Sequence, residues 1–164
     1  MTDIRYKDTM IFELPYRRLL ILTEGSLGIF SAKTGSSVLR YRGQDCIGVL
    51  DSTCAGNPLD RYLDNVPDLP ILASVAEAMP LKPDALLIGI APTGGGLPDQ
   101  MRRHLVDALN NRLSIISGLH VMLSEDAELA ELAEQNNAHI HDVREASSIR
   151  HIACGKARYT RAKR

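Results

Sequence analysis

Residues 85–98 read ALLIGIAPTGGGLP: an apolar run, then a turn with three consecutive glycines, then a proline that opens the stretch PDQMRRHLVDALNN (98–111). A run with no polar alternation is the mark of a strand covered on both faces, as parallel sheets are. Met101, Leu105, Val106 and Leu109 then recur at helical spacing. Pro98 and Asp99 suit the first turn of that helix, where a missing N–H is harmless and an acid faces the positive end of the dipole. This is one strand–turn–helix unit, and the same alternation extends in both directions. LLILT (19–23), CIGVLD (46–51), PILA (70–73), LSIIS (113–117) and HIHDV (139–143) read as further short strands. Helical patterns fall near 31–41, 74–79 and 126–136. Ser124 is the expected N-cap of the last of these, with Ala127, Leu129, Ala130 and Ala133 as its core side. Strand–helix–strand repetition with short connections predicts a Rossmann-like α/β three-layer sandwich over 17–145, with a mostly parallel sheet of six strands.

The flanks are read as an N-terminal extension (1–16) and a basic linker (146–164). From Arg144 onward Arg150, Lys156, Arg158, Arg161, Lys163 and Arg164 face the single acid Glu145. The whole chain of 164 residues carries a net charge of −1, which argues against a nucleic-acid binder. No apolar run reaches the roughly 20 residues of a membrane span, and no secretory leader is apparent, so a cytoplasmic protein is expected. The three cysteines include no C-x-x-C pair, which disfavours structural zinc or a redox dithiol. Cys46 is expected in the core, and Cys54 in a loop where a reagent can reach it.

In such sheets ligands bind beyond the carboxyl ends of the strands, where strand order reverses. Gly25, Ser26 and Gly28 form a glycine-containing turn after the first strand, suited to a phosphate approached by backbone amides. The fingerprint is partial. Lys33-Thr34 mimics the end of a P-loop, yet Ala32 and Leu27 stand where its glycines belong. Asp51 ends the second strand, where an acid can bond ribose hydroxyls; capping its own turn is the alternative. Thr93, Gly94, Gly95 and Gly96 form a candidate anion nest. His120 follows the fifth strand on the same rim, as a proton carrier or a structural imidazole. His139 and His141 share a strand face but have no third partner at ligand spacing, so no metal is expected. Asp142 and Arg144 sit at the end of the sixth strand, to clamp a neighbouring domain or, for Arg144, to meet an anion.

Taken together, EGSLG (24–28), AKTG (32–35), LRY (39–41), VLDSTCAG (49–56), IGIAPTGGGLP (88–98), SGLHVML (117–123) and HDVRE (141–145) resemble a two-domain bacterial and archaeal family. That family, long labelled a domain of unknown function, pairs a Rossmann-like N-terminal domain with a C-terminal P-loop domain and is associated with D-glutamate N-acetyltransferase activity. The resemblance implies acetyl-CoA as cofactor and the P-loop domain as partner. It also implies that this chain supplies ligand binding or interdomain contacts and is inactive alone. Lys33 or Arg144 would then pair with a carboxylate or phosphate of a small anionic ligand, and His120 would accept the amine proton. Two alternatives stand beside it: an NAD(P)- or other nucleotide-binding module, motivated by Gly25, Gly28 and Asp51, and a non-catalytic scaffold. A homo-oligomer is expected.

Overall fold

The computed structural model describes residues 15–92 and 96–144. The expected extension, apart from Pro15 and Tyr16, lies outside the described residues. So do the expected linker and Thr93, Gly94 and Gly95. Among the described residues, strands β1 (Leu19–Leu22), β2 (Cys46–Leu50), β3 (Ile71–Leu72), β4 (Ala85–Ile88), β5 (Ser114–Ser117) and β6 (Ile140–Asp142) form one sheet. Their order is β3-β2-β1-β4-β5-β6, and every neighbouring pair is parallel. The helices are α1 (Lys33–Tyr41), α2 (Val75–Ala78), α3 (Asp99–Asn110) and α4 (Ala127–Gln135). No helix among the described residues is long and apolar enough to cross a membrane.

Successive strand residues point to opposite faces, and both faces are buried. Leu20, Leu22, Leu86, Ile88 and Ile115 pack with Val75, Leu105, Leu109 and Leu129, which places α2, α3 and α4 on one side. Leu19, Ile21, Val49, Leu87 and Ile116 pack with Leu39, Leu59 and Leu63, which places α1 and the segment after β2 on the other. These are the three layers. Each fully buried Leu or Met of α3 contributes about 1.5–3 kcal/mol of transfer free energy.

Helix starts follow local chemistry. Ser74 caps α2 by accepting the Glu77 N–H, while the Glu77 carboxylate receives the Ala73 N–H at 2.9 Å. The N-cap of α4 is Asp126, which accepts the Leu129 N–H, and not Ser124 as expected. The reason is Asp142: its carboxylate takes the Leu123 and Ser124 amides at 3.1 and 2.9 Å and holds them in a 3-10 turn (Leu123–Glu125). Within α4, Leu129 and Ala133 are buried, whereas Ala127 is exposed and Ala130 only half-buried. Cys46 is in the core as expected. Cys54 is also buried, packed with Leu59 and Leu63, so the expectation of a reachable thiol does not hold. Burial pushes the Cys46 thiol up to about 11 and that of Cys54 upward, the latter with help from Asp51.

Candidate functional site at the carboxyl rim of the sheet

Strand order reverses between β1 and β4, so the crevice beyond their carboxyl ends is the site this topology offers. Helix α1 starts there because of one close backbone approach. The Gly35 N–H donates to the Gly89 carbonyl at 2.8 Å. A Cβ on Gly89 would stand 2.9 Å from Ile21 Cγ2, closer than real Cβ atoms approach, and a tight 3.0 Å from the Gly35 Cα. The first turn of α1 has no side-chain cap and no acid. Gly35 uses its amide on Gly89, and Ser36 donates to the Ala32 carbonyl. Among the described residues the amides of Lys33 and Thr34 bond to no acceptor, which makes them first-turn donors at the positive end of the helix that begins with the exposed Lys33.

The turn before this helix is tied to β2 through Asp51. Its carboxylate is fully buried and accepts Thr23 Oγ1–H at 3.0 Å, Gly25 N–H at 3.0 Å, Thr53 N–H at 3.2 Å and Thr53 Oγ1–H at 2.6 Å. Burial, the strongest single influence, raises its pKa, but these hydrogen bonds together outweigh burial and hold the carboxyl below its ordinary value. Asp51 stands where a ribose-binding acid would, with its oxygens already engaged by its own turn and the neighbouring one. Gly25 adopts φ +69°, a conformation that favours glycine, and its amide is spent on Asp51. The Ser26 amide is spent on the Thr23 carbonyl, and the Gly28 carbonyl accepts Ala32 N–H. Donors for an anion are therefore found a few residues later than the glycine spacing suggests, at Lys33 and Thr34.

A second cluster was missed by sequence reasoning. Glu24, directly after β1, keeps only 3% of its side chain exposed. Its Oε1 accepts Ser52 Oγ–H at 2.5 Å and an N–H of Gln100; its Oε2 accepts Ser52 N–H at 3.0 Å and faces Nε2 of His104 at 2.9 Å. Gln100 also donates to Ser52 Oγ at 3.3 Å. Gln100 and His104 stand four residues apart on α3, hence on one helix face, and that spacing was the available signal.

The remaining candidates lie farther along the rim. His120 is exposed after β5, and Arg144, exposed after β6, donates from Nε to the Gly118 carbonyl at 2.8 Å. With strands about 4.8 Å apart, the end of β5 lies about 10 Å from that of β1. The structure thus groups Gly25, Ser26, Gly28, Lys33 and Asp51 around the crevice and sets His120 and Arg144 at the β5–β6 side. Gly96 is exposed, with open space where a Cβ would stand. His139 and His141 have ring centroids 6.0 Å apart, and His141 Nε2 meets the Tyr16 hydroxyl at 2.7 Å. Asp142 is turned inward on the 123–124 amides, away from any clamp to a neighbour.

Known proteins resemble this chain in sequence and in fold. A solved structure of a DUF1611 family protein from Anabaena variabilis is 38% identical and superposes with a TM-score of 0.77, covering 87% of this chain and 41% of its own. A protein of Pseudoalteromonas sp named D-glutamate N-acetyltransferase is 28% identical over 134 residues, 82% of this chain and 37% of the relative. One of the same name from Tritonibacter scottomollicae is 36% identical over 85 residues, 52% of this chain and 26% of the relative. The chain thus spans well under half the length of the relatives it matches. A family profile described as a domain of unknown function (DUF1611_N), Rossmann-like domain, matches residues 52–146. The chain belongs to this DUF1611_N Rossmann-like family.

Proposed function

We propose that this chain is the Rossmann-like part of a D-glutamate N-acetyltransferase-like protein, in which it holds an anionic group of the ligand and contacts the remainder of the longer molecule. The observation that carries the ligand role is the uncapped start of α1 at the β1–β4 switch point, with Lys33 beside it. Backbone donors and a helix dipole face that position, and the exposed Lys33 stands on the same first turn, the chemistry a phosphate or carboxylate requires. Acetyl-CoA and D-glutamate both bring such groups, and the relatives' name motivates the choice. Free thiols at Cys46 and Cys54 suit a reducing cytoplasm.

The contact role has its own support. Ile29 and Phe30 after β1, Val121 after β5 and Val143 after β6 are 47%, 87%, 40% and 55% exposed, and all four leave the carboxyl ends of strands. Large apolar side chains gathered on one rim suit a covering partner. In this reading that partner is a P-loop domain reached through the basic linker at 146–164, and the isolated chain is inactive. A dinucleotide is the weaker alternative, because it relies on Asp51, whose oxygens are engaged.

Isothermal titration of the chain with acetyl-CoA, D-glutamate, NAD and ATP tests the ligand role. Acetyl-CoA or D-glutamate is expected to bind, and Lys33→Glu to weaken it by at least about tenfold, through loss of one charge and addition of its opposite. Binding of NAD alone, or binding indifferent to Lys33→Glu, would overturn it.

A further inference from the structure

Glu24 is a buried carboxylate that the anion site does not use, and everything around it donates. The Ser52 backbone amide and the Gln100 side-chain amide can only donate to it, and the Ser52 hydroxyl lies 2.5 Å from Oε1. Four polar groups therefore converge on one carboxylate between the loop after β1, the loop after β2 and the first turns of α3. With the carboxylate accepting from all its neighbours, the imidazole of His104 must donate from Nε2 across the 2.9 Å contact. The ring is then held as the Nε2–H tautomer, and Nδ1 carries the lone pair. Nδ1 makes no hydrogen bond to any described residue, and the His104 side chain remains 11% exposed. No buried side-chain nitrogen or oxygen among the described residues lacks a partner, so Nδ1 is open to solvent and can meet a ligand.

We propose that Glu24, Ser52, Gln100 and His104 form a proton-transfer site, in which His104 Nδ1 accepts the proton of an ammonium substrate and Glu24 positions the ring. This rests on the acyl-transfer reading above and replaces His120 as the proton carrier. In that chemistry the ammonium gives one proton to Nδ1, and the freed amine attacks the thioester carbonyl. The C–N bond forms, the C–S bond breaks, and the thiolate leaves with the second nitrogen proton. Glu24 never leaves its donors; it stabilises the imidazolium as the orienting acid of a triad does. Ser52 and Gln100 hold the carboxylate in register and are positioning residues.

The test is long-range proton–nitrogen NMR of the histidine rings in the 164-residue chain, above the pH where the ring is protonated. The wild type is expected to show His104 as Nε2–H by at least about tenfold over the other tautomer, and Glu24→Ala to lose that preference. Ser52→Ala removes one donor and leaves the Ser52 amide, Gln100 and His104 on the carboxylate, so it is expected to weaken that preference without abolishing it, which guards against a misfolded first variant. A mixed or Nδ1–H ring in the wild type overturns the proposal whatever the variants do. D-glutamate is then added with calorimetry in parallel. Movement of the Nδ1 signal supports the proposal, and heat of binding with Nδ1 unmoved overturns it. If neither D-glutamate nor acetyl-CoA binds, the anion reading fails by itself, and the tautomer result alone supports or overturns the role of His104.

Discussion

Asp51 shows how one side chain can hold a rim together. Its four hydrogen bonds join the end of β1, the Gly25 turn and the Thr53 turn, so two loops that border the crevice share one acceptor. Asp51→Ala is expected to destabilise the chain by about 2–4 kcal/mol, because four donors lose their acceptor in a buried place. The folded-state pKa is depressed, so the ionised carboxylate stabilises the fold. That stability is present above the ordinary carboxylate value near 3.8 and is lost as pH falls through the lowered value. Chemical denaturation at pH 7 and at pH 3 checks this: the gap between wild type and Asp51→Ala should narrow at the lower pH. An equal gap at both would contradict it. The importance of Asp51 was legible in the sequence, since an acid closing an apolar strand must find donors. Which donors it finds was not legible. Glu24 was harder still: its partners Gln100 and His104 lie 76 and 80 positions away, and nothing local announces a contact made by the return of α3 over β1.

At the level of elements, the strands were readable because burial on both faces removes polar residues from them. LLIL and ALLI are apolar and buried at every position, and SIIS keeps two buried serines at its ends. The edge strand β3, only Ile71–Leu72, is shorter than PILA suggests. Helix boundaries depended on competition between caps. Both Ser124 and Asp126 can cap, and Asp142, 18 residues after Ser124, decides between them by taking the earlier amides. Asp126 also joins α4 to α3, pairing with Arg102 at 2.7 and 2.9 Å, while Glu128 pairs with the same guanidinium at 2.5 Å. The Arg102 hydrogen bonds hold the Asp126 carboxyl down at about 2. This pair is partly exposed, so solvent screening limits its worth. Arg102→Ala is expected to cost about 1 kcal/mol at pH 7, a fall of about 2–4 °C in Tm. The stabilisation is present above about 3.8 and disappears as pH drops through about 2. Thermal melts across that window should show the two curves converging. A difference that persists at pH 2 would assign the loss to packing of the arginine stem instead.

For the molecule as a whole, the order β3-β2-β1-β4-β5-β6 converts scattered loops into one rim. The fold was legible from alternation and apolar runs; the division of labour along the rim was not, because it depends on which amides each loop spends on itself. Gly25 and Ser26 spend theirs internally, and the helix that follows is left uncapped. Apolar side chains at Ile29, Phe30, Val121 and Val143 border the same edge, so ligand and covering partner would meet there. The most direct measurement is a backbone amide map of the chain by proton–nitrogen NMR during titration with acetyl-CoA. The account predicts saturable shifts at Lys33 and Thr34, together with the turn over residues 24–32. Saturable binding that leaves the Lys33 and Thr34 amides unmoved would contradict it.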